Sequence, residues 1–275
     1  MQARNERTRV VIAAGGLGTR VHEWSRYLPK EWLPVDGRPG IVHLLHEIAG
    51  LGPARVAVVY HPYYEFFAHW ARQALAPDGH HRYLTSAGRR TPLADDALQG
   101  VAIDWIAQHG RYGDLTSVLN GADHLAQHGP WDSDLYLAFG DNLYPRSDVL
   151  AALRQAPHGV VVLARPYEPG LAQHRGVIAT ASDGESAIRM VDLVEKPSPK
   201  VARALEAVHG IDNLMLLEGR ARLDARFLAF ARSHSGAGTD TEPKLSSVLA
   251  AYARTRPVHV VTISGEVVDL GAPSG

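Results

Sequence analysis

The segment Thr8-Arg9-Val10-Val11-Ile12-Ala13-Ala14 reads as a buried strand, and it runs without a break into Gly15-Gly16-Leu17-Gly18-Thr19-Arg20. A strand that empties into a glycine run commits the chain to a sharp turn whose backbone N–H groups can be brought against an anion. A second cluster, Leu28-Pro29-Lys30-Glu31-Trp32-Leu33-Pro34-Val35, follows at once. Arg20 and Lys30 then supply a forked cation and a point cation, the pair that a polyphosphate needs. The layout handles phosphate, and it points to a nucleotide.

Two commoner glycine motifs do not fit. A Walker loop ends in Gly-Lys-Ser/Thr, and a dinucleotide fingerprint opens directly into a helix with an acidic residue about 20 positions later. Here the run ends in Thr19-Arg20, and Trp24, Tyr27 and Pro29 work against an immediate long helix.

Short apolar runs at residues 10–14, 56–60, 101–106, 135–139 and 160–164 are rich in valine and isoleucine and are separated by helical-looking stretches, the pattern of an α/β fold. Residues 41–51 form a helix by their stripe of Val42, Leu45, Ile48 and Ala49 between Pro39 and Gly52. The later runs, 176–181, 187–194, 214–217, 258–263 and 267–270, are less cleanly interleaved with helices and predict antiparallel edges in the second half of a mixed sheet. Thr239-Asp240-Thr241-Glu242 has capping-box spacing ahead of Leu245, Val248, Leu249 and Tyr252, which predicts a helix from about Thr241 to Arg254. Residues 76–100, rich in Gly, Pro, His, Arg and Asp, read as a long surface loop.

With 275 residues, 45% of them apolar, the chain can bury a full core, and one domain is the expectation. A formal net charge of −1 gives no overall pull toward nucleic acid or an anionic membrane, so the basic residues act locally. The absence of cysteine excludes disulfides and thiolate metal sites. Residues 1–9 lack an apolar signal core and no run of about 18 apolar residues occurs, so we expect a soluble cytoplasmic protein.

The opening motifs resemble those of the sugar-1-phosphate nucleotidyltransferases, whose signature is Gly-Gly-x-Gly-Thr-Arg followed ten residues later by the lysine of Pro-Lys-x-x-x-Pro. Arg20 and Lys30 keep that spacing, and Pro29-Lys30-Glu31-Trp32-Leu33-Pro34 looks most like the bacterial UTP–glucose-1-phosphate uridylyltransferase branch. The resemblance implies a single-domain, Rossmann-like fold of the nucleotide-diphospho-sugar transferase (GT-A-like) kind, with a mixed but mainly parallel sheet flanked by helices. Its nucleotide half would be about 1–145 and its sugar-phosphate half about 146–275. It also implies Mg²⁺-dependent transfer of a nucleotidyl group, UTP favoured, to a sugar 1-phosphate, glucose 1-phosphate favoured, with release of pyrophosphate. A thymidylyltransferase using dTTP, an enzyme for a modified sugar or cyclitol phosphate, and a non-catalytic nucleotide-sugar sensor are the alternatives. Monomer or homo-oligomer stays open.

Residue by residue, the resemblance implies nucleotide binding by Ala14, Gly15, Gly16, Gly18 and Thr19, with Arg20 on the leaving pyrophosphate and Lys30 and Lys196 flanking the reacting phosphates. Gln108 and Gly113, five apart in Gln108-His109-Gly110-Arg111-Tyr112-Gly113, match the base-reading stretch, where an amide offers both a donor and an acceptor to uracil or thymine. Gly140-Asp141-Asn142 follows a strand, where ligands sit in open α/β sheets, though the same three residues also suit a plain turn. Family likeness makes Asp141 and Asp269 the Mg²⁺ ligands, hard carboxylates that suit that ion, and places Asn142, Gly176 and Glu195 at the sugar. Glu195 and Lys196 would face opposite ways on a strand, so a bend at Pro197 is needed to bring both to one ligand.

Departures from the pattern fall in two places. On the acceptor side Val21-His22-Glu23-Trp24 stands where relatives carry Leu-x-Pro, and a helical-looking stretch, 201–208, separates Glu-Lys-Pro from Asn213. In the base-reading stretch Asp114-Leu115-Thr116-Ser117 stands where relatives carry Leu-Ala or Leu-Gly, which leaves the base open. Fifteen histidines, including His43 with His46 and the pair His80-His81, read as solvated surface residues, since none forms His-Glu-x-x-His. Asp132-Ser133-Asp134 has the Asp-x-Asp form of a nucleotide-sugar glycosyltransferase, but that chemistry gives the 15–20 loop no role.

Overall fold

In the computed structural model the described residues are 8–18, 25–76, 82–84, 90–92, 96–129, 134–145, 148–182, 187–235 and 242–271. The first half follows the alternation read from the sequence. Strands β1 (Thr8–Ala14), β2 (Ala54–Tyr60), β3 (Val101–Ala107) and β4 (Leu135–Phe139) pair in parallel in the order β4-β1-β2-β3, with helices α1 (Gly40–Ala49), α2 (Glu65–Ala74) and α3 (Asp114–Ala126) between them in sequence.

The period-two alternation of β1 divides the core. Val10, Ile12 and Ala14 face α1, where Ile41, Leu44, Leu45 and Ile48 are fully buried. Val11 and Ala13 face α3, packing with Leu115, Val118, Ala122 and Leu125. Each such leucine or isoleucine contributes about 1.5–3 kcal/mol by leaving water.

The second half is largely antiparallel, as its less cleanly interleaved runs predicted, and it makes the sheet as a whole not mainly parallel, contrary to what the family likeness implied. After strand β5 (Asn142–Leu143) and helix α4 (Val149–Gln155) come β6 (Val160–Pro166), β7 (Gly176–Ser182), β8 (Ile188–Glu195), helix α5 (Pro199–His209), β9 (Leu214–Leu223), helices α6 (Ala225–Ser235) and α7 (Leu245–Ala253), β10 (Val258–Thr262) and β11 (Val268–Asp269). The nine-stranded order is β6-β10-β8-β7-β9-β4-β1-β2-β3, with β6 also pairing β9. Only β6 with β10 adds a parallel pair; β6–β9, β7–β8, β7–β9, β8–β10 and β9–β4 are antiparallel. The reason is connection length: β7 and β8 are joined by residues 183–187, too few for the crossover that a parallel neighbour requires. β9, predicted to stop at Leu217, continues to Leu223 and joins the two halves of the sheet through its pairing with β4.

Helix α7 begins at Leu245, later than the capping-box reading placed it; Thr239 to Thr241 lie outside the described residues. Its first N–H is capped instead by Asp114, whose Oδ1 accepts from Leu245 N at 2.7 Å. Within 76–100 the described residues include a short antiparallel pair, Arg82–Leu84 with Arg90–Pro92. No helix among the described residues is long and apolar enough to cross a membrane.

Candidate active site

The carboxyl ends of β1, β3 and β4 lie at one edge of the sheet and deliver Gly15-Gly16, Gln108 and Gly140-Asp141 to it. Gly15, Gly16, Gln108 and Asp141, with Lys30, Glu31, Gly113, Asp114, Ser117 and Glu242, line a cleft of about 170 Å³. Gln108 is buried and its amide is fixed in one sense: Nε2 donates to Gly113 O at 3.0 Å, and Oε1 accepts from Ser117 Oγ at 2.9 Å. Gly113 O only accepts, so the amide cannot flip without setting oxygen against oxygen. Gly15 lies under this amide, and a Cβ there would overlap Gln108 Oε1 and come within 2.8 Å of Ser117 Oγ. A Cβ on Gly113 would stand 2.5 Å from Pro243 O, so the segment leading into α7 closes this side of the cleft.

Lys30 sits on a 3-10 turn, Lys30–Trp32, anchored by Trp32. The Trp32 ring meets Phe67 and Trp70 edge-on at 5.1 and 5.2 Å and stacks on Trp105 of β3 at 6.4 Å. With Trp32 held in the core, Lys30 projects into the cleft and forms a salt bridge with Asp141. Burial pushes the Lys30 ammonium down, but Asp141 and Glu31 outweigh it and leave its pKa raised. Burial likewise pushes Asp141 up, and the Lys30 charge and hydrogen bond bring it below the usual carboxylate value. Both partners are therefore ionised at neutral pH. Glu31 is 1% exposed, its Oε2 has no hydrogen-bond partner, and burial raises its carboxyl to about 7 against the pull of Lys30.

A second cleft, of about 190 Å³, shares Asp114, Phe139 and Asp141 with the first and adds Asn142, Arg175, Gly176, Glu195, Lys196 and Glu218. Glu195 and Lys196 reach the same space, but the bend falls at Lys196 itself rather than at Pro197. Lys196 has φ 44°, in the left-handed region, its N–H donates to Arg175 O at 3.1 Å, and its Nζ lies 3.8 Å from Glu195 Oε1. A non-glycine residue held this way costs about 1–2 kcal/mol. Asp269 pairs in register with Asn142 across β5 and β11, and Leu270 N donates to Asp141 O at 2.8 Å. Its carboxylate lines neither cleft; Oδ2 accepts from Arg175 Nη2 at 3.0 Å and Oδ1 from Gly271 N at 2.8 Å.

Of the sequence-predicted site residues, Thr19 and Arg20 lie outside the described residues, as do Val21 to Trp24, His80-His81, Asp132 and Ser133. Ala14 is buried at the end of β1, and Gly18 turns the loop at φ 60°. Asp134 pairs with Arg222 at 3.2 Å, away from both clefts. His43 and His46 are held by Val35 O and the Arg38 side chain. A larger cavity of about 380 Å³, lined by Val35, His43 and Tyr144, contains none of the predicted residues.

Several residues that shape the site were missed. Glu31, Asp114 and Ser117 sit inside segments already singled out, so closer attention to their neighbours was the available signal. Glu218, Arg220 and Arg222 interrupt the apolar run of β9, and charges at mid-strand mark a buried polar network. The Glu218 carboxyl is raised by burial, opposed by Arg175 and the Tyr144 hydroxyl, which donates to Oε2 at 3.0 Å.

Residues 9–246 match the protein family described as nucleotidyl transferase. The chain belongs to that family. It is 27% identical over 278 aligned residues to the UTP–glucose-1-phosphate uridylyltransferase YngB of Bacillus subtilis, covering 97% of this chain and 86% of that protein. It is 29% identical to the glucose-1-phosphate thymidylyltransferase of Mycolicibacterium smegmatis, over 76% of this chain and 62% of the relative. Among solved structures it resembles a UDP-glucose pyrophosphorylase crystallised with UDP-glucose, at a TM-score of 0.73 and 18% identity, covering 97% of this chain and 94% of that one. That likeness establishes the nucleotidyl transferase fold.

Proposed function

We propose that this nucleotidyl transferase moves a uridylyl group from UTP to glucose 1-phosphate in the cytoplasm, releasing pyrophosphate. The observation that carries the reading is the continuity of the two clefts: the Lys30–Asp141 pair stands where the Gln108–Gly113 cleft runs into the Glu195–Lys196 cleft.

In this reading the nucleotide base meets the oriented Gln108 amide, the sugar lies over Gly176 between Asn142 and Glu195, and the two phosphates meet at Asp141. An oxygen of the sugar phosphate attacks the α-phosphorus, a new P–O bond forms in line, and the bond to the bridging oxygen of pyrophosphate breaks. The attacking oxygen is already anionic, so no proton need be removed and no general base is required. Catalysis is then positioning and charge stabilisation: Lys30 and Lys196 bracket two mutually repelling anions, and Arg20 holds the departing pyrophosphate.

The donor chemistry fits Mg²⁺: Asp141 lines the cleft, the unpartnered Oε2 of Glu31 is a buried oxygen in the same cleft, and Asp269 on the adjacent segment is a hard carboxylate that joins them by exchanging its Arg175 contact for the ion. Asp141 and Asp269 would hold the ion, which when bound offsets the charge of the triphosphate.

Pyrophosphate release, measured with Mg²⁺ across ATP, GTP, CTP, UTP and dTTP against a panel of sugar 1-phosphates, tests the proposal. Release with UTP and glucose 1-phosphate is expected. Faster release with dTTP would replace uridylyl by thymidylyl transfer, as the mycobacterial relative's name would suggest. Silence across the grid with intact nucleotide binding would refute the catalytic reading.

A further inference from the structure

The end of α3 remote from the cleft carries a cluster that the proposed reaction does not use. His124 lies ten residues beyond Asp114, about 15 Å along the helix, and His128 follows one turn later, just past the helix end. The spacing of four places both imidazoles on one side, and that side faces Asp104 at the middle of β3. His124 Nε2 is 3.2 Å from Asp104 Oδ2, His128 Nε2 is 3.8 Å from the same oxygen, and the two Nε2 atoms are 3.4 Å apart.

We infer that Asp104, His124 and His128 form a binding site for one borderline transition-metal ion, with zinc the best fit. Tetrahedral zinc with bonds of about 2.0–2.1 Å to nitrogen and oxygen requires its ligand atoms to stand about 3.3–3.4 Å apart. Two edges of the observed triangle, 3.2 and 3.4 Å, are close to that size and the third is 3.8 Å, so a small inward movement of His128 completes one face of the tetrahedron. Two imidazoles and one carboxylate suit Zn²⁺, Ni²⁺ or Co²⁺ and disfavour Mg²⁺, which demands oxygen ligands, so this site is chemically separate from Asp141 and Asp269.

The surroundings are those of a ligating carboxylate. Arg55 on β2 holds Asp104 through Nε to Oδ2 at 2.8 Å and Nη2 to Oδ1 at 3.3 Å, which fixes its orientation in the way an outer-shell partner does. The same guanidinium charge repels an incoming cation, so micromolar rather than nanomolar affinity is expected. The three side chains are 25–35% exposed, which leaves an entry path and an open fourth position. The three ligand atoms all lie within 4.8 Å of one another, the two Nε2 atoms close to each other as well as to the carboxylate. A bound ion would tie β3 to α3, the two arms on either side of the Gln108–Gly113 segment.

The test is titration of the metal-free protein with Co²⁺. One equivalent should bind with the intense visible bands of a tetrahedral centre, displaced by Zn²⁺ and unaffected by excess Mg²⁺. His124→Gln and His128→Gln should each weaken binding at least tenfold, and zinc should raise the melting temperature of the wild type but not of the double variant. Both histidines are partly exposed, and circular dichroism verifies folding; Asp104→Asn, which keeps an oxygen for Arg55, gives a second route to the same loss. Absence of tetrahedral bands, or zinc binding undiminished in the folded double variant, overturns the inference.

Discussion

Arg220 gives the sharpest test of how this fold holds its chemistry. Its side chain is fully buried at mid-strand on β9 and donates Nε and Nη2 to the Glu47 carboxylate on α1, at 3.1 and 2.8 Å. Its remaining donors go to Phe139 O at 3.1 Å, Gly219 O at 2.9 Å and Asn142 O at 2.8 Å, and the guanidinium lies 4.8 Å from the Tyr144 ring. Phe139 and Asn142 bracket Gly140-Asp141, so one side chain pins both ends of the loop that presents Asp141. Arg220→Met removes the cation from a Glu47 side chain only 11% exposed, and breaking a buried pair from one side costs about 3–5 kcal/mol. The abandoned carbonyls add about 1–3 kcal/mol each where water does not reach them, so a loss of about 5 kcal/mol in urea unfolding is expected. A Glu47→Leu/Arg220→Met double variant removes the stranded charge as well and should recover at least half of that loss. It should not recover turnover, because the Phe139 and Asn142 carbonyls still lack their donor and the Asp141 loop is released. A single variant less stable by under about 1 kcal/mol, or a double variant with wild-type kcat, would refute the reasoning.

Three further outcomes follow from the same geometry. Gln108→Glu sets a carboxylate against Gly113 O and loses the donor to the base, so kcat/KM for UTP should fall about 100-fold, or about 3 kcal/mol, and preference among triphosphates should flatten; an unchanged profile would mean the base is read elsewhere. Asp114 is raised from 3.8 to about 6, chiefly by burial, with the backbone N–H groups of Leu245 and Leu115 opposing. The folded state thus keeps a proton that the unfolded chain releases, and this group's contribution to stability falls as pH rises through that window. Asp114→Asn, which keeps the cap on Leu245, should gain up to about 3 kcal/mol at pH 8 and nothing at pH 4, and equal gains at both would refute the burial argument. Lys196→Gly relieves the left-handed backbone and should raise stability by up to about 1 kcal/mol while abolishing transfer, whereas Lys196→Met loses transfer without the gain; a glycine variant less stable than the methionine one would show that no strain is held there.

What the sequence made legible was chemistry carried by contiguous residues. Gln108 with Gly113 and Asp141 were read from short motifs at strand ends and Lys30 from the motif after the glycine loop, and the first half of the chain brings all of them to one cleft. The antiparallel second half was legible in the poorly interleaved runs after residue 176, whereas the mainly parallel sheet implied by the family likeness was wrong, because apolar periodicity marks strands without saying how many neighbours a short connection will force to be antiparallel. Asp114 and Leu245 are 131 residues apart, so no local pattern could show that the first N–H of α7 is capped from the cleft.

Arg220 and Glu47 are separated by 173 residues, and Asp104 stands on a different element from His124 and His128, whose pair alone looks like solvated surface. In each case a polar residue sits where its own segment gives it nothing to do, and its partner is set by sheet order. The useful clue was negative: Glu218, Arg220 and Arg222 in a strand that opens with an apolar run cannot be buried unless something distant satisfies them. Asp141 needs both kinds of information. Its motif places it at the end of β4, but its readiness depends on Lys30, which keeps it ionised, and on Arg220, which holds the loop carbonyls on either side of it. A substitution far from any motif, such as one at Glu47, is therefore expected to reach the reaction through the same network.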